Sequence, residues 1–278
     1  MKIIDMRVRA PFKAYEGSNI YQVGADGRGG ARGWLLPPSV REFSMDLLVK
    51  EADEAGVEKL VVPVRKSLDG NNDDLVDLIT RYSEKVVGMA GIDVNSLNIG
   101  DAIAEVEKYV VNGPCTGIIL EPGQDKTPWM VNSVRVFPLY EYLQEKKIPI
   151  FMTYGGIQTT SLRYYAPEPL DDVLGAFPDL KIGLAHGGWP YVTEVCQMAV
   201  NRGNLYLAPD FYMIESPGQN DYVLAANCLL KDRLMFASAY PLMPLKEASE
   251  YYMQSGISEE ALPNIMYNNA AEFLGLND

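Results

Sequence analysis

Eight short apolar runs recur along the chain, each followed by a polar or amphipathic stretch, and this alternation limits the fold more than any other feature. They are KIIDMRV (2–8), KLVVPV (59–64), VVGMAGI (86–92), TGIIL (116–120), PIFMT (149–153), KIGLA (181–185), NLYLA (204–208) and RLMFA (233–237). Runs without strict in/out alternation suit strands buried on both faces, as in a parallel sheet covered by helices. Eight βα units are the number that closes a (β/α)8 TIM barrel. We therefore expect an α/β chain folded as one barrel domain over 1–278, and 47% apolar content is enough for one large core.

The intervening segments carry helix punctuation. SMDLLVKEADEAG offers Ser44 as N-cap and Gly56 as a left-handed stop. DDLVDLITRYSEK repeats Leu75, Leu78, Ile79 and Tyr82 on one face, and PLDDVLGAFPD and SEEALPNIMYNNAAEFLGL are of the same type, the first stopped by Pro178 and the second divided by Pro263. One stretch breaks the rhythm: about 12–43, after the first strand, contains GADGRGGARG. A long loop at the C-terminal face of a barrel reads as a lid, with Arg28 and Arg32 as anion contacts; a surface insertion without function is the alternative.

A net charge of −13 and a pI near 4.6 repel nucleic acid and anionic membrane, so the expected partner is a small anionic substrate drawn in by local positive charge. Cys115, Cys196 and Cys228 are widely spaced and form no CxxC pair. The N-terminus has no signal-like apolar core and no run reaches membrane-spanning length, so the expectation is a soluble cytoplasmic protein.

Residues at the strand ends share one basin. Asp5, Arg7 and Arg9 fall on one period-two face, with Met6 and Val8 expected against the helices. Arg65, Glu121, Thr153, Tyr154, His186, Asp210, Ser238 and Tyr240 follow the later strands, and Trp189 and Trp129 are candidate walls. Tyr251 and Tyr252, near the C-terminus, suit a buried helix face or a subunit contact. His186, the only histidine, stands in LAHGGWP directly after an apolar strand, where two glycines allow a ligand close to the backbone.

Five stretches together resemble the amidohydrolase superfamily, in the amidohydrolase-related branch that includes aminocarboxymuconate semialdehyde decarboxylase and related lactonases. IIDMRVR is similar to that branch's IDxHxH, PIFMTYGG to PxxxHxG, KIGLAHGGWP to LAHxGG, RLMFASAYP to FGSDYP, and NIMYNNAAEFLGL to its closing helix. The resemblance implies a metal-dependent-hydrolase-like barrel, and relatives that are often homo-oligomers. It also places Arg7, Arg9, Thr153 and Ala239 where the family carries metal ligands and a catalytic aspartate; only His186 remains. Arginine has no lone pair to give a metal. We therefore expect no cofactor and no inherited metal. A replacement site from His186, Glu121 and Asp210 is the alternative.

The resulting expectation is a metal-independent hydrolase of a small carboxylate-bearing lactone or ester. His186 or Asp210 acts as base, Tyr154 or Tyr240 as proton donor, and Arg7, Arg9, Arg65, Glu121, Thr153, Trp189 and Tyr240 line the substrate. A carboxy-lyase, hydratase or isomerase acting on a di- or tricarboxylic acid is the second reading, and a noncatalytic anion-binding barrel the third. In a purely structural reading of the arginines, Asp5 neutralises Arg7, and Glu121 or Asp210 neutralises Arg9.

Overall fold

The structure is a computed structural model that describes residues 1–18, 20–21, 32–95, 98–156 and 161–276. Arg28 and most of the glycine-rich stretch lie outside them. Seven parallel strands run in sequential order: β1 (Ile3–Asp5), β2 (Val57–Pro63), β3 (Val86–Gly91), β4 (Gly117–Leu120), β5 (Ile150–Thr153), β6 (Ile182–Ala185) and β7 (Leu205–Ala208). The eighth apolar run forms isolated bridges in place of a regular strand. It still spans the gap: Leu207 N donates to Arg233 O, Met235 N to Leu207 O, Met6 N to Phe236 O and Arg9 N to Tyr240 O. Residues 233–240 thus touch both edges of the sheet and close the barrel.

The helices lie outside: α1 (Met45–Glu54), α2 (Asn72–Arg81), α3 (Ile99–Val106), α4 (Phe137–Lys146), α5 (Pro167–Ala176), α6 (Val192–Asn201), α7 (Gln219–Asn227), α8 (Leu245–Gln254) and α9 (Asn269–Leu274). Ser44 caps α1 by accepting from Leu47 N, and Gly56 takes the expected left-handed turn at φ +74°. Pro263 does not divide the last segment: it is the N-cap of the helical run from Asn264 that continues into α9.

Two apolar layers account for the unbroken strand runs. Ile4, Met6, Val61, Met89, Phe151, Tyr206 and Met235 fill the barrel interior. Phe273 and Leu274 of α9 belong to the same cluster, and Lys181 Nζ and the Tyr206 hydroxyl reach Glu272, so α9 closes the floor at the strands' N-terminal ends. Leu60, Val62, Ile118, Ile150, Met152 and Leu184 instead meet the helices.

The expected face of the first run needs correction. Met6 packs inside with Ile4, while Val8 belongs to the outer layer with Ile3. β1 ends at Asp5 and the chain bends at Met6, which interrupts the period of two so that Met6 and Arg7 both turn inward.

Candidate active site

Register sets the height of the site. Thr153 pairs with Ala185 and Ala185 with Ala208, so His186 and Asp210, one and two residues further on, emerge at the same level of the C-terminal mouth. His186, Asp210 and Ala239 all have positive φ, at +67°, +48° and +57°. Left-handed backbone disfavours residues with a Cβ by about 1–2 kcal/mol each, and such strain gathers where side chains must be aimed.

Arg7 is fully buried and centres the cluster. Its Nη1 lies 2.8 Å from Asp210 Oδ2 and 3.0 and 2.9 Å from His186 Nδ1 and Nε2. Nδ1 is also 2.9 Å from Asp210 Oδ2. An acidic acceptor at Nδ1 fixes the proton there, leaving the Nε2 lone pair to accept from Arg7. Burial and the Arg7 charge together push the imidazole down to about 3, overcoming the attraction of Asp210. Burial alone would raise the Asp210 carboxyl, but His186 and the Arg7 guanidinium outweigh it and hold the group below the usual carboxylate range. At neutral pH the trio is a neutral imidazole between a carboxylate and a guanidinium.

Three arginines share this mouth and are satisfied differently. Arg65 donates from Nε to Glu121 Oε1 at 2.5 Å and from Nη2 to Gln124 Oε1 and Ser67 Oγ, and Ser67 also donates to both Glu121 oxygens. Arg9 spends Nη1 on the carbonyls of Ala239 at 2.8 Å and Tyr240 at 3.3 Å. Among the described residues no carboxylate reaches Arg9, and burial, then the charges of Arg7 and Arg65, push its guanidinium well down. Among the described residues Arg7 Nε and Nη2, Arg9 Nε and Thr153 Oγ1 are buried without a partner. Buried polar groups of this kind are costly unless something completes them.

The structural reading of the arginines is corrected by these contacts. Asp5 does not neutralise the Arg7 guanidinium: its Oδ1 accepts from the backbone N–H of Arg7 and Ser238, pinning the β1 end to the eighth segment, and burial raises its carboxyl to about 6. Glu121 belongs to Arg65 and Asp210 to Arg7, which leaves Arg9 unneutralised.

The two tyrosines expected as proton donors are engaged elsewhere. Tyr154 lies in the outer layer and its hydroxyl donates to Ala166 O at 2.7 Å, because the residue after inward-facing Thr153 must point outward. The Tyr240 hydroxyl meets Ser39 Oγ, which in turn donates to Glu51 on α1; only the Tyr240 carbonyl serves the site. Trp189 is half-buried, stacks on Tyr212 at 4.7 Å and donates to Pro217 O. Trp129 is buried and donates to Asp125. Arg32 is held by Ile214 O and Glu215 of the loop after β7, while Tyr21 donates to Arg9 O.

Other residues of the site escaped the sequence. Phe211 and Tyr212 stand edge-on to the His186 ring with centroids 5.3 Å away, and Tyr252 on α8 donates to Asp210 O. The DFY following the seventh run carried a weak signal for the first two; nothing local marks Tyr252. Gly156, at φ +101°, approaches so closely that a Cβ there would lie 3.0 Å from His186 Cδ2.

A divalent ion does not fit this donor set. Of the positions that resemble metal ligands only His186 keeps a histidine or carboxylate side chain, Arg7 Nη1 faces both of its ring nitrogens, and among the described residues no three His, Cys, Asp or Glu side chains gather to hold a metal. The replacement set of His186, Glu121 and Asp210 fails because Glu121 is turned into the Arg65 pair.

Against known proteins, the amidohydrolase family profile matches residues 37–276. The chain belongs to the amidohydrolase family. An uncharacterized TIM-barrel protein from Bordetella bronchiseptica is 34% identical, superposes with a TM-score of 0.92, and is covered over 99% of both chains. 2,6-Dihydroxybenzoate decarboxylase from Rhizobium is 14% identical with a TM-score of 0.71, over 100% of this chain and 99% of that one. 4-Oxalomesaconate hydratase from Rhodopseudomonas palustris is 19% identical with a TM-score of 0.68, over 98% of this chain and 95% of that one. The last two show the shared barrel. No curated protein matches this amidohydrolase-family chain. Among the described residues no helix is long and apolar enough to cross a membrane.

Proposed function

We propose that this amidohydrolase-family chain is a metal-independent hydrolase of a small carboxylate-bearing lactone or ester. The observation that carries the reading is the incomplete pairing of the buried arginines: Arg7 Nε and Nη2 and Arg9 Nε have no partner among the described residues, and Arg9 has no carboxylate. A substrate carboxylate completes them with charge-assisted hydrogen bonds. Fixed guanidinium charge then stabilises the oxyanion that develops at the scissile carbonyl, the role a cation fills elsewhere.

The proton has a route. Water adds to the carbonyl carbon while its proton passes to His186 Nε2, and the ring C–O bond then breaks as that proton moves to the leaving oxygen. Asp210 holds the imidazole in the tautomer this needs and stabilises the imidazolium formed. Nε2 faces Arg7 Nη1 in the ligand-free geometry, so the carboxylate must first draw the guanidinium aside. An imidazole with so low a pKa is a weak base, and this places the burden of catalysis on stabilising the oxyanion.

A carboxy-lyase or hydratase is the second reading, favoured by the names of the distant solved relatives. There the arginines hold the carboxylate and His186 moves a proton to or from carbon. The two separate by product. Ring-opened acid without carbon dioxide, lost on His186→Ala, supports hydrolysis; carbon dioxide without ring opening, or a hydrated acid, moves the assignment to the second reading. Carboxylate binding with no turnover that His186→Ala affects leaves only an anion receptor.

A further inference from the structure

We infer that Tyr212 is a catalytic residue of this site, its hydroxyl donating the hydrogen bond that holds the oxyanion formed at the scissile carbonyl. This rests on the hydrolase reading above and assigns a part that Tyr154 and Tyr240, spent on Ala166 O and Ser39, do not take. Gly156 shows the placement. A β-carbon on Gly156 would lie 3.3 Å from His186 Nε2 and 3.3 Å from the Tyr212 hydroxyl oxygen. The two atoms therefore border one gap and stand no more than twice that distance apart. The missing side chain at 156 keeps that gap open.

The span suits the reaction. A water hydrogen-bonded to Nε2, a carbonyl carbon about 3–3.5 Å from it and a carbonyl oxygen hydrogen-bonded to the phenol form a bent path that fits between end groups about 6 Å apart. Asp210 and Tyr212 belong to one turn, Asp210–Met213, so a single backbone segment serves both sides of the imidazole: Asp210 at Nδ1 and Tyr212 towards Nε2. The phenol is also fixed in place. Its ring stacks on Trp189 with centroids 4.7 Å apart, packs on Phe211 at 4.4 Å and stands edge-on to His186. A donor held this way needs no reorganisation as charge develops. When the water oxygen bonds to carbon, its proton passes to Nε2 and the carbonyl π pair moves onto oxygen, which accepts from the Tyr212 O–H. The phenol keeps its proton; the pair returns as the C–O bond breaks and the leaving oxygen takes the proton from Nε2.

Two probes that differ only at the reacting centre test this. 4-Oxopentanoate carries a planar ketone, and 3-(methylphosphinico)propionate replaces it with a tetrahedral phosphinate bearing a negative oxygen; neither has an ester to hydrolyse. Binding is measured calorimetrically on the purified chain at about pH 8, where both carboxyls are ionised. The natural chain is expected to bind the phosphinate at least about tenfold tighter than the ketone. Tyr212→Phe keeps the stacked ring and removes the donor, so it is expected to weaken the phosphinate by about tenfold or more and the ketone by less than about threefold. A phosphinate bound no tighter than the ketone, or one unaffected by Tyr212→Phe, or both probes weakened alike, overturns the assignment and leaves the carboxylate reading standing. No binding by either probe, nor by formate or acetate, overturns both. Should Tyr212→Phe fail to fold, Gly156→Ala fills the same gap with a methyl and is expected to abolish the preference for the phosphinate; a folded Gly156→Ala that keeps the preference refutes the placement.

Discussion

Replacing Arg7 by Met tests the electrostatic core of the site, and the single histidine makes the readout unambiguous. Arg7 Nη1 lies about 3 Å from both His186 ring nitrogens, with the guanidinium charge spread to an effective separation of about 4 Å. At an effective dielectric near 20, such a charge disfavours imidazolium by about 4 kcal/mol, or about three pKa units. His186, held down to about 3 in the natural chain, is therefore expected to rise to about 6 in Arg7→Met, where Asp210 remains as its hydrogen-bonded charged partner and Arg9 acts only from a distance. Histidine-selective carbon and nitrogen labelling with NMR titration reads both quantities: a neutral Nδ1–H tautomer throughout pH 5–8 in the natural chain, and a resolved titration in the variant.

Stability must follow with a defined sign. Because the folded pKa lies below the unfolded value near 6.5, the unfolded chain binds the extra proton between those values, and His186 costs stability as pH falls through that window, by about 1.4 kcal/mol per pH unit. Arg7→Met, with folded and unfolded values nearly equal, loses that slope. It also leaves Asp210 without its guanidinium, a cost of about 3–5 kcal/mol at pH 8 that shrinks near pH 5 as His186 becomes charged. A natural-chain imidazole titrating between pH 6 and 7, or one that moves by less than a unit in the variant, refutes the reasoning.

Gly156→Ala sets a methyl 3.0 Å from His186 Cδ2 on backbone at φ +101°, so it is expected to lower stability by about 1–3 kcal/mol and turnover more than tenfold, as seen by thermal unfolding and steady-state kinetics. Asp125, half-buried under Trp129 and pushed up to about 7 chiefly by burial, is destabilising when ionised; Asp125→Asn keeps the acceptor for Trp129 Nε1 and is expected to stabilise the chain by about 1–2 kcal/mol at pH 8 and by much less at pH 5, checked by urea unfolding. Prolonged dialysis against a strong chelator is expected to leave turnover unchanged, and elemental analysis to find no stoichiometric transition metal; loss of activity restored by one divalent metal defeats the metal-independent mechanism.

Much of the fold was legible because its determinants are local. Apolar runs of strand length, caps such as Ser44 and stops such as Gly56 write the βα repeat into neighbouring residues. His186 was legible for the same reason, as a polar residue directly after a strand, where a barrel opens its mouth. The face of Met6 was not, because one bend after Asp5 breaks the periodicity on which such a reading depends. Tyr154 failed similarly: adjacent to Thr153, it must point the other way.

What the sequence could not contain was the pairing. Three arginines and three carboxylates converge on one mouth, and composition permits any matching among them. Closure of the barrel brings Arg7 to Asp210 across 203 positions and Arg65 to Glu121 across 56, and leaves Arg9 facing carbonyls alone. In a dry interior an ion pair depends on angstroms of separation and on which hydrogen bonds are already spent. Secondary structure and the residues at the strand ends were thus fixed by local patterning, while which guanidinium N–H groups of Arg7 and Arg9 stay unfilled was decided only when distant strands closed around them.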